Sequence, residues 1–117
     1  MQGDYKTKKS LEERQKESKR IRNNPKFKNR VPIIAQPAKN CVYKIDRTKY
    51  LVPADLTMAQ FAYVIRKRLK LNPEAALFFY VNNRLAAMSD LLKQVDHDSR
   101  DEDGFLYITF NGENTFG

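Results

Sequence analysis

The stretch from Lys49 to Leu69, KYLVPADLTMAQFAYVIRKRL, constrains this chain more than any other. Lys49-Tyr50-Leu51-Val52 is β-rich, and Pro53 ends the ladder because it has no N–H to donate. Thr57-Met58-Ala59-Gln60 has capping-box spacing, in which the Thr hydroxyl and the Gln side chain each satisfy a free backbone donor. Leu56 before the cap and Phe61 after it stand where a hydrophobic staple sets the entry angle. Met58, Phe61, Ala62, Ile65 and Leu69 then recur with helical period. The pattern predicts strand, turn and one amphipathic helix, with Pro73 as the stop.

The remaining elements are arranged around that unit. Ser10-Leu11-Glu12-Glu13 repeats the capping pattern and predicts a helix from Ser10 to about Asn23, while residues 1–9 are polar and loosely held. That helix is apolar chiefly at Leu11 and Ile21, so it lies on a core rather than forming one. Arg30 to Ala35 reads as a strand, with Pro32 tolerable only near an edge or at the strand start. Cys41 to Ile45 either extends a turn or begins the next strand. Ala76 to Val81 is a buried-type strand, and Asn82-Asn83 suits a tight turn into the short return Arg84-Leu85-Ala86. Ser89 to Leu92 opens a brief helix that gives way to a charged loop, Asp96 to Asp103. Phe105 to Phe110 alternates: Leu106, Ile108 and Phe110 share one face, and Phe105, Tyr107 and Thr109 the other. This order predicts an α+β chain, a β-grasp with a four-stranded mixed sheet packed on a central helix. The boundaries are a helical extension at 1–29, a core at 30–111 and a tail at 112–117.

At 117 residues the chain is one domain. It has no membrane-spanning run and no signal-peptide core. The single Cys excludes an internal disulfide and fits a reducing compartment. One Cys and one His make no zinc site, and the acidic clusters do not follow a calcium loop. Cys41 and His97 have no catalytic motif around them, and the carboxylates of 96–103 lie in a solvated stretch, so no enzyme is expected. The net charge of +8 divides as +7 over residues 1–30, +6 over 31–89 and −5 over 90–117. Such a split either steers acidic partners toward one end or solvates a basic helix. Lys16, Lys19, Arg20 and Arg22 of that helix have only Tyr5 and Phe27 nearby as aromatics, so base stacking and nucleic-acid binding are not expected.

The blocks RVPII (30–34), KYLVPADLT (49–57), Phe61, IRKR (65–68), ALFFYVNN (76–83) and FLYI (105–108) closely resemble the autophagy ubiquitin-like modifiers, the GABARAP-like and microtubule-associated protein light chain three-like family. The resemblance runs over roughly residues 10–117. Residues 23–29 are longer than the family pattern, residues 84–90 and 95–103 match poorly, and Gly104 stands where an aromatic is more usual.

The resemblance implies a ubiquitin-like β-grasp with two added N-terminal helices, no enzymatic activity and no cofactor. It also implies an open edge at residues 50–52 that takes aromatic-x-x-aliphatic motifs of autophagy receptors and adaptors. Carried over by position, the aromatic pocket is Glu17, Ile21, Pro32, Ile34, Lys49, Leu51 and Phe105. The aliphatic pocket is Tyr50, Val52, Pro53, Leu56, Phe61 and Val64, and Lys49 and Arg68 meet acidic flanks. The sequence leaves open whether the N-terminal helix or a partner covers these apolar residues. Gly117 is the expected point of conjugation to phosphatidylethanolamine. That chemistry implies activating and conjugating enzymes, a processing and deconjugating cysteine protease, and a chain divided between cytoplasm and autophagosome membrane. Some relatives also dock ligands near Phe78 and Phe79. The rival readings are an unconjugated trafficking adaptor of the same fold and a small basic nucleic-acid-binding protein.

Overall fold

A computed structural model describes residues 4–113. The elements run α1 (Tyr5–Lys8), α2 (Leu11–Arg22), a 3-10 turn (Pro25–Phe27), β1 (Arg30–Pro37), β2 (Lys49–Pro53), α3 (Met58–Leu69), β3 (Phe78–Val81), β4 (Arg84–Leu85), α4 (Leu92–Ser99) and β5 (Leu106–Asn111). The sheet order is β2-β1-β5-β3-β4. β1 and β5 are parallel and the other neighbours antiparallel, so the sheet is mixed.

The sheet has five strands rather than the expected four, because the return after the Asn82-Asn83 turn pairs with β3 over two residues. Both Asn residues adopt positive φ, 51° and 65°, as a tight hairpin turn requires. Pro32 lies in an interior strand but close to its start. Pairing with β5 begins only at Ile33, so the missing N–H leaves no acceptor stranded.

α3 crosses one face of the sheet. Its capping box is complete, and Met58, Phe61, Ala62 and Ile65 are buried. They pack with Val31, Ile33, Tyr50, Val52, Phe79, Leu92, Leu106, Ile108 and Phe110. The helix stops before Pro73: Lys70 enters the left-handed region at φ 56°, and the N–H groups of Lys70 and Leu71 close onto the Lys67 and Arg66 carbonyls.

The opposite face carries α1 and α2. Residues 5–8, expected to be loosely held, instead form one helical turn capped by Asp4, with Tyr5 buried against Ile34 and Phe105. α2 begins at the Ser10 capping box. The charged stretch from Asp96 was expected to be a loop, yet its first four residues complete α4. Asp96 is buried there because Arg22 forks onto its two carboxylate oxygens at 3.1 and 2.7 Å, and Arg100 adds a second fork. Residues 41–45 form no strand, though Ile45 is buried. Gly117 lies outside the described residues.

Candidate functional site

β2 ends the sheet, so its outer side faces no other strand among the described residues. Ala35 N–H donates to Thr48 O, and Ile33 pairs with Tyr50 and Val31 with Val52 in the same phase. The ladder therefore uses the backbone of Tyr50 and Val52 and turns that of Lys49 and Leu51 outward. An outward N–H and C=O at Leu51 is what an added strand requires. Arg30 occupies half of it: its Nη1 donates to Leu51 O at 3.2 Å.

The predicted pocket residues divide between the two sides of this edge. Tyr50, Val52 and Phe61 belong to the α3-side core, where the Tyr50 and Phe61 rings meet edge to face with centroids 5.6 Å apart. Phe61 has no exposed surface. Leu56 is half-buried, and Pro53 and Val64 are exposed, so these three form the reachable rim. On the other side Ile34, Phe105 and Ile21 cluster with Tyr5. Pro32, Ile34 and Phe105 are fully buried, Glu17, Ile21 and Leu51 half-buried, and Lys49 exposed. The cover over Phe105 is Tyr5, whose ring stands at 80° to it with centroids 5.8 Å apart.

Charge ties that cover down. Glu17 accepts from the Tyr5 hydroxyl, pairs with Lys49 and lies 3.5 Å from Lys9. Burial pushes the Glu17 carboxyl up, but the bonds from Lys49 and Tyr5 outweigh it and hold it at about 2. Burial and the Glu17 acceptor raise the Tyr5 hydroxyl well above its usual range. The two cations expected to attract acidic flanks are already engaged, Lys49 by Glu17 and Arg68 by both oxygens of Asp46 at 3.0 Å. An acidic ligand must compete for them.

Three features of this region have no counterpart in the sequence reading. One is Tyr5, hidden in a polar run with no periodicity to mark it. Another is the Arg30 cap on Leu51. The third is a buried network behind Phe105. Asp103, 1% exposed, accepts from Arg14 at 2.7 Å, from Tyr107 and from the Phe105 N–H at 2.8 Å, while Ser18 bonds its carbonyl. Gly104 completes it at φ 95°, where a Cβ would collide with the Ser18 side chain. The sequence signal was Gly104 itself, a departure with a steric cause.

A mixed sheet grasping one long helix, with parallel β1 and β5 at its centre, is a ubiquitin-like β-grasp. Residues 13–117 match the family described as autophagy protein Atg8, ubiquitin-like. The chain is 49% identical over 118 residues to Autophagy-related protein 8 of Candida glabrata, covering 100% of this chain and 98% of that protein. It is 52% identical over 114 residues to Autophagy-related protein 8A of Oryza sativa subsp. indica, covering 97% and 94%. The crystal structure of Trypanosoma brucei ATG8 superposes with a TM-score of 0.88 at 39% identity, covering both chains in full. The chain belongs to the Atg8 family of ubiquitin-like autophagy proteins.

Proposed function

We propose that this chain is a ubiquitin-like modifier joined through the Gly117 carboxylate to phosphatidylethanolamine. On autophagosomal membranes it recruits receptors and adaptors through aromatic-x-x-aliphatic motifs that add a strand to β2. Activating and conjugating enzymes attach it, a cysteine protease processes and releases it, and the unconjugated form is cytoplasmic. The helices of 1–29 shape the groove, the core of 30–111 presents it, and the tail of 112–117 carries the tether. The observation that supports docking is the outward backbone of Lys49 and Leu51, set between two apolar clusters on opposite faces of one edge. Family membership supports conjugation.

The docking test is a titration with a labelled aromatic-x-x-aliphatic peptide. Leu51→Pro removes one outward donor while leaving the β1–β2 ladder intact, and should weaken binding at least about ten-fold, the cost of one main-chain hydrogen bond plus a lost contact. Unchanged affinity in a folded variant would rule out strand addition. Tyr50 is left alone because its ring supports Phe61 and its hydroxyl bonds Arg47 O at 2.8 Å. The conjugation test is the intact mass after incubation with the two enzymes and aminophospholipid liposomes. Gly117→Ala should block the mass shift, and an unmodified wild-type chain would reduce the function to that of a free adaptor.

A further inference from the structure

The backbone leaves β5 at a defined place. Ala38 N–H donates to Phe110 O at 2.9 Å, and Asn111 Nδ2 donates to Asn40 Oδ1 at 2.9 Å. Gly112 lies against the Tyr43 ring, so close that a Cβ would come within 2.9 Å of it. The exit is thus flanked by the loop between β1 and β2, with Tyr80 reaching Glu113 O at 3.5 Å from the other side. Gly117 is four residues beyond Glu113. Fully extended they span at most about 14 Å. An amide to a lipid headgroup at Gly117 therefore holds whatever surrounds the exit close to the bilayer.

The loop has the surface such a position needs. Lys39 and Lys44 are exposed, and neither is in an ion pair among the described residues. Between them Val42 is 83% exposed. A cleft of about 840 Å³ separates the loop from α1, lined by Thr7, Gln36, Lys39, Val42, Tyr43 and Lys44 among others. Its one carboxylate among the described residues, Asp4, is turned to the Lys6 N–H at 3.0 Å and to Gln36 Nε2 at 3.4 Å. On the β3 side of the exit, residues 70–77 carry one Lys and one Glu and so offer no such excess of positive charge.

We propose that the 38–44 loop is the membrane-facing surface of the conjugated protein, with Val42 entering the interface and Lys39 and Lys44 meeting anionic phospholipid headgroups. This rests on the conjugation proposed above. Each lysine near an anionic leaflet favours contact roughly five-fold. One valine and two lysines are too little to hold the free chain. The tether supplies the local concentration that makes the contact persistent.

The chain contains no Trp, so Val42→Trp introduces a single tryptophan, and Tyr63→Trp, at a position 61% exposed on α3, provides a comparator outside the loop. Each is attached to vesicles of phosphatidylcholine with or without phosphatidylserine. One route uses the enzymes and phosphatidylethanolamine. The other uses Gly117→Cys, in a Cys41→Ser background, coupled to a maleimide-headgroup lipid. Nitroxide-labelled lipids report depth by quenching.

The residue-42 probe should be quenched and blue-shifted, more so with phosphatidylserine, while the residue-63 probe stays unquenched. Lys39→Glu with Lys44→Glu should cut the phosphatidylserine-dependent part by roughly an order of magnitude or more. Equal quenching at the two positions, or indifference to charge reversal, overturns the proposal. If only the chemical tether yields the pattern, the surface assignment stands and the conjugation reading falls. If the enzymes couple the chain and residue 42 stays dry, the reverse holds.

Discussion

Arg14→Ala asks whether α2 is bolted to the sheet or only laid upon it. The guanidinium donates through Nη1 to Asp103 Oδ2 at 2.7 Å and through Nε to Lys9 O at 3.1 Å. Its side chain is 10% exposed and that of Asp103 not at all. Alanine leaves the carboxylate with two donors, the Tyr107 hydroxyl and the Phe105 N–H, and no cation. Stranding a buried charge by removing its partner costs about 3–5 kcal/mol. The two surviving bonds put the loss near the lower end, about 3 kcal/mol, or about 12 °C in Tm for a chain of this length. Tyr107→Phe sets the scale, since it removes one hydroxyl bond to a charged acceptor and should cost about 1.5 kcal/mol. Urea unfolding followed by far-ultraviolet circular dichroism should show the midpoint falling in that order at constant m. A loss below about 1 kcal/mol for Arg14→Ala, or a smaller loss than for Tyr107→Phe, would refute the idea that this pair joins helix to sheet.

The remaining predictions concern single residues. Glu17 is held at about 2, below its unfolded value near 4.5, so its contribution is complete above about pH 4.5 and is lost as pH falls toward 2. Lys49 and Lys9 are both partly solvent-screened, which limits that contribution to about 1 kcal/mol. Glu17→Gln should flatten the wild-type stability curve in that window, and parallel curves would remove Glu17 from the account. Gly104→Ala places a Cβ against Ser18 at a φ of 95°, and should cost at least about 2 kcal/mol by urea midpoint. Neutrality there would mean the 101–105 turn is free to move. Lys70→Gly relieves the left-handed cap of α3 and should raise stability by about 0.5–1 kcal/mol, where any loss would contradict the cap assignment.

Local chemistry made the Thr57 cap of α3, the Ser10 cap and the Asn82-Asn83 turn readable, because each writes its signal within four consecutive residues, and the stripe from Met58 to Leu69 marked the body of α3. The alternation of β5 also sorted its side chains correctly: Leu106, Ile108 and Phe110 went to the α3 side, and Phe105 and Tyr107 to the other. What stayed hidden depends on distant partners. α1 has one turn and no period, and Tyr5 is ordered by Phe105 and Glu17, not by its neighbours. The charges of α4 look solvated until Arg22, 74 positions earlier, is seen to satisfy Asp96. The pocket residues were named from kinship. Their division into a core group and a lidded group is a property of packing that no spacing records.

That division sets how the edge can work. On the α3 side the buried residues belong to the main core, and Phe61 is on the buried face of a helix anchored by a full capping box. Opening there means breaching the part of the molecule with the most buried apolar contact, which opens last. On the other side Phe105 is covered by one side chain from a four-residue helix, held by a ring contact, a hydroxyl bond and partly exposed lysines. An arriving aromatic that takes the place of Tyr5 on Phe105 exchanges one ring contact for another. The net gain must then come from the outward backbone of Lys49 and Leu51, once Arg30 has released the Leu51 carbonyl. Affinity on this edge thus resides in the strand, and adaptability in the α1 side, where cover is thinnest.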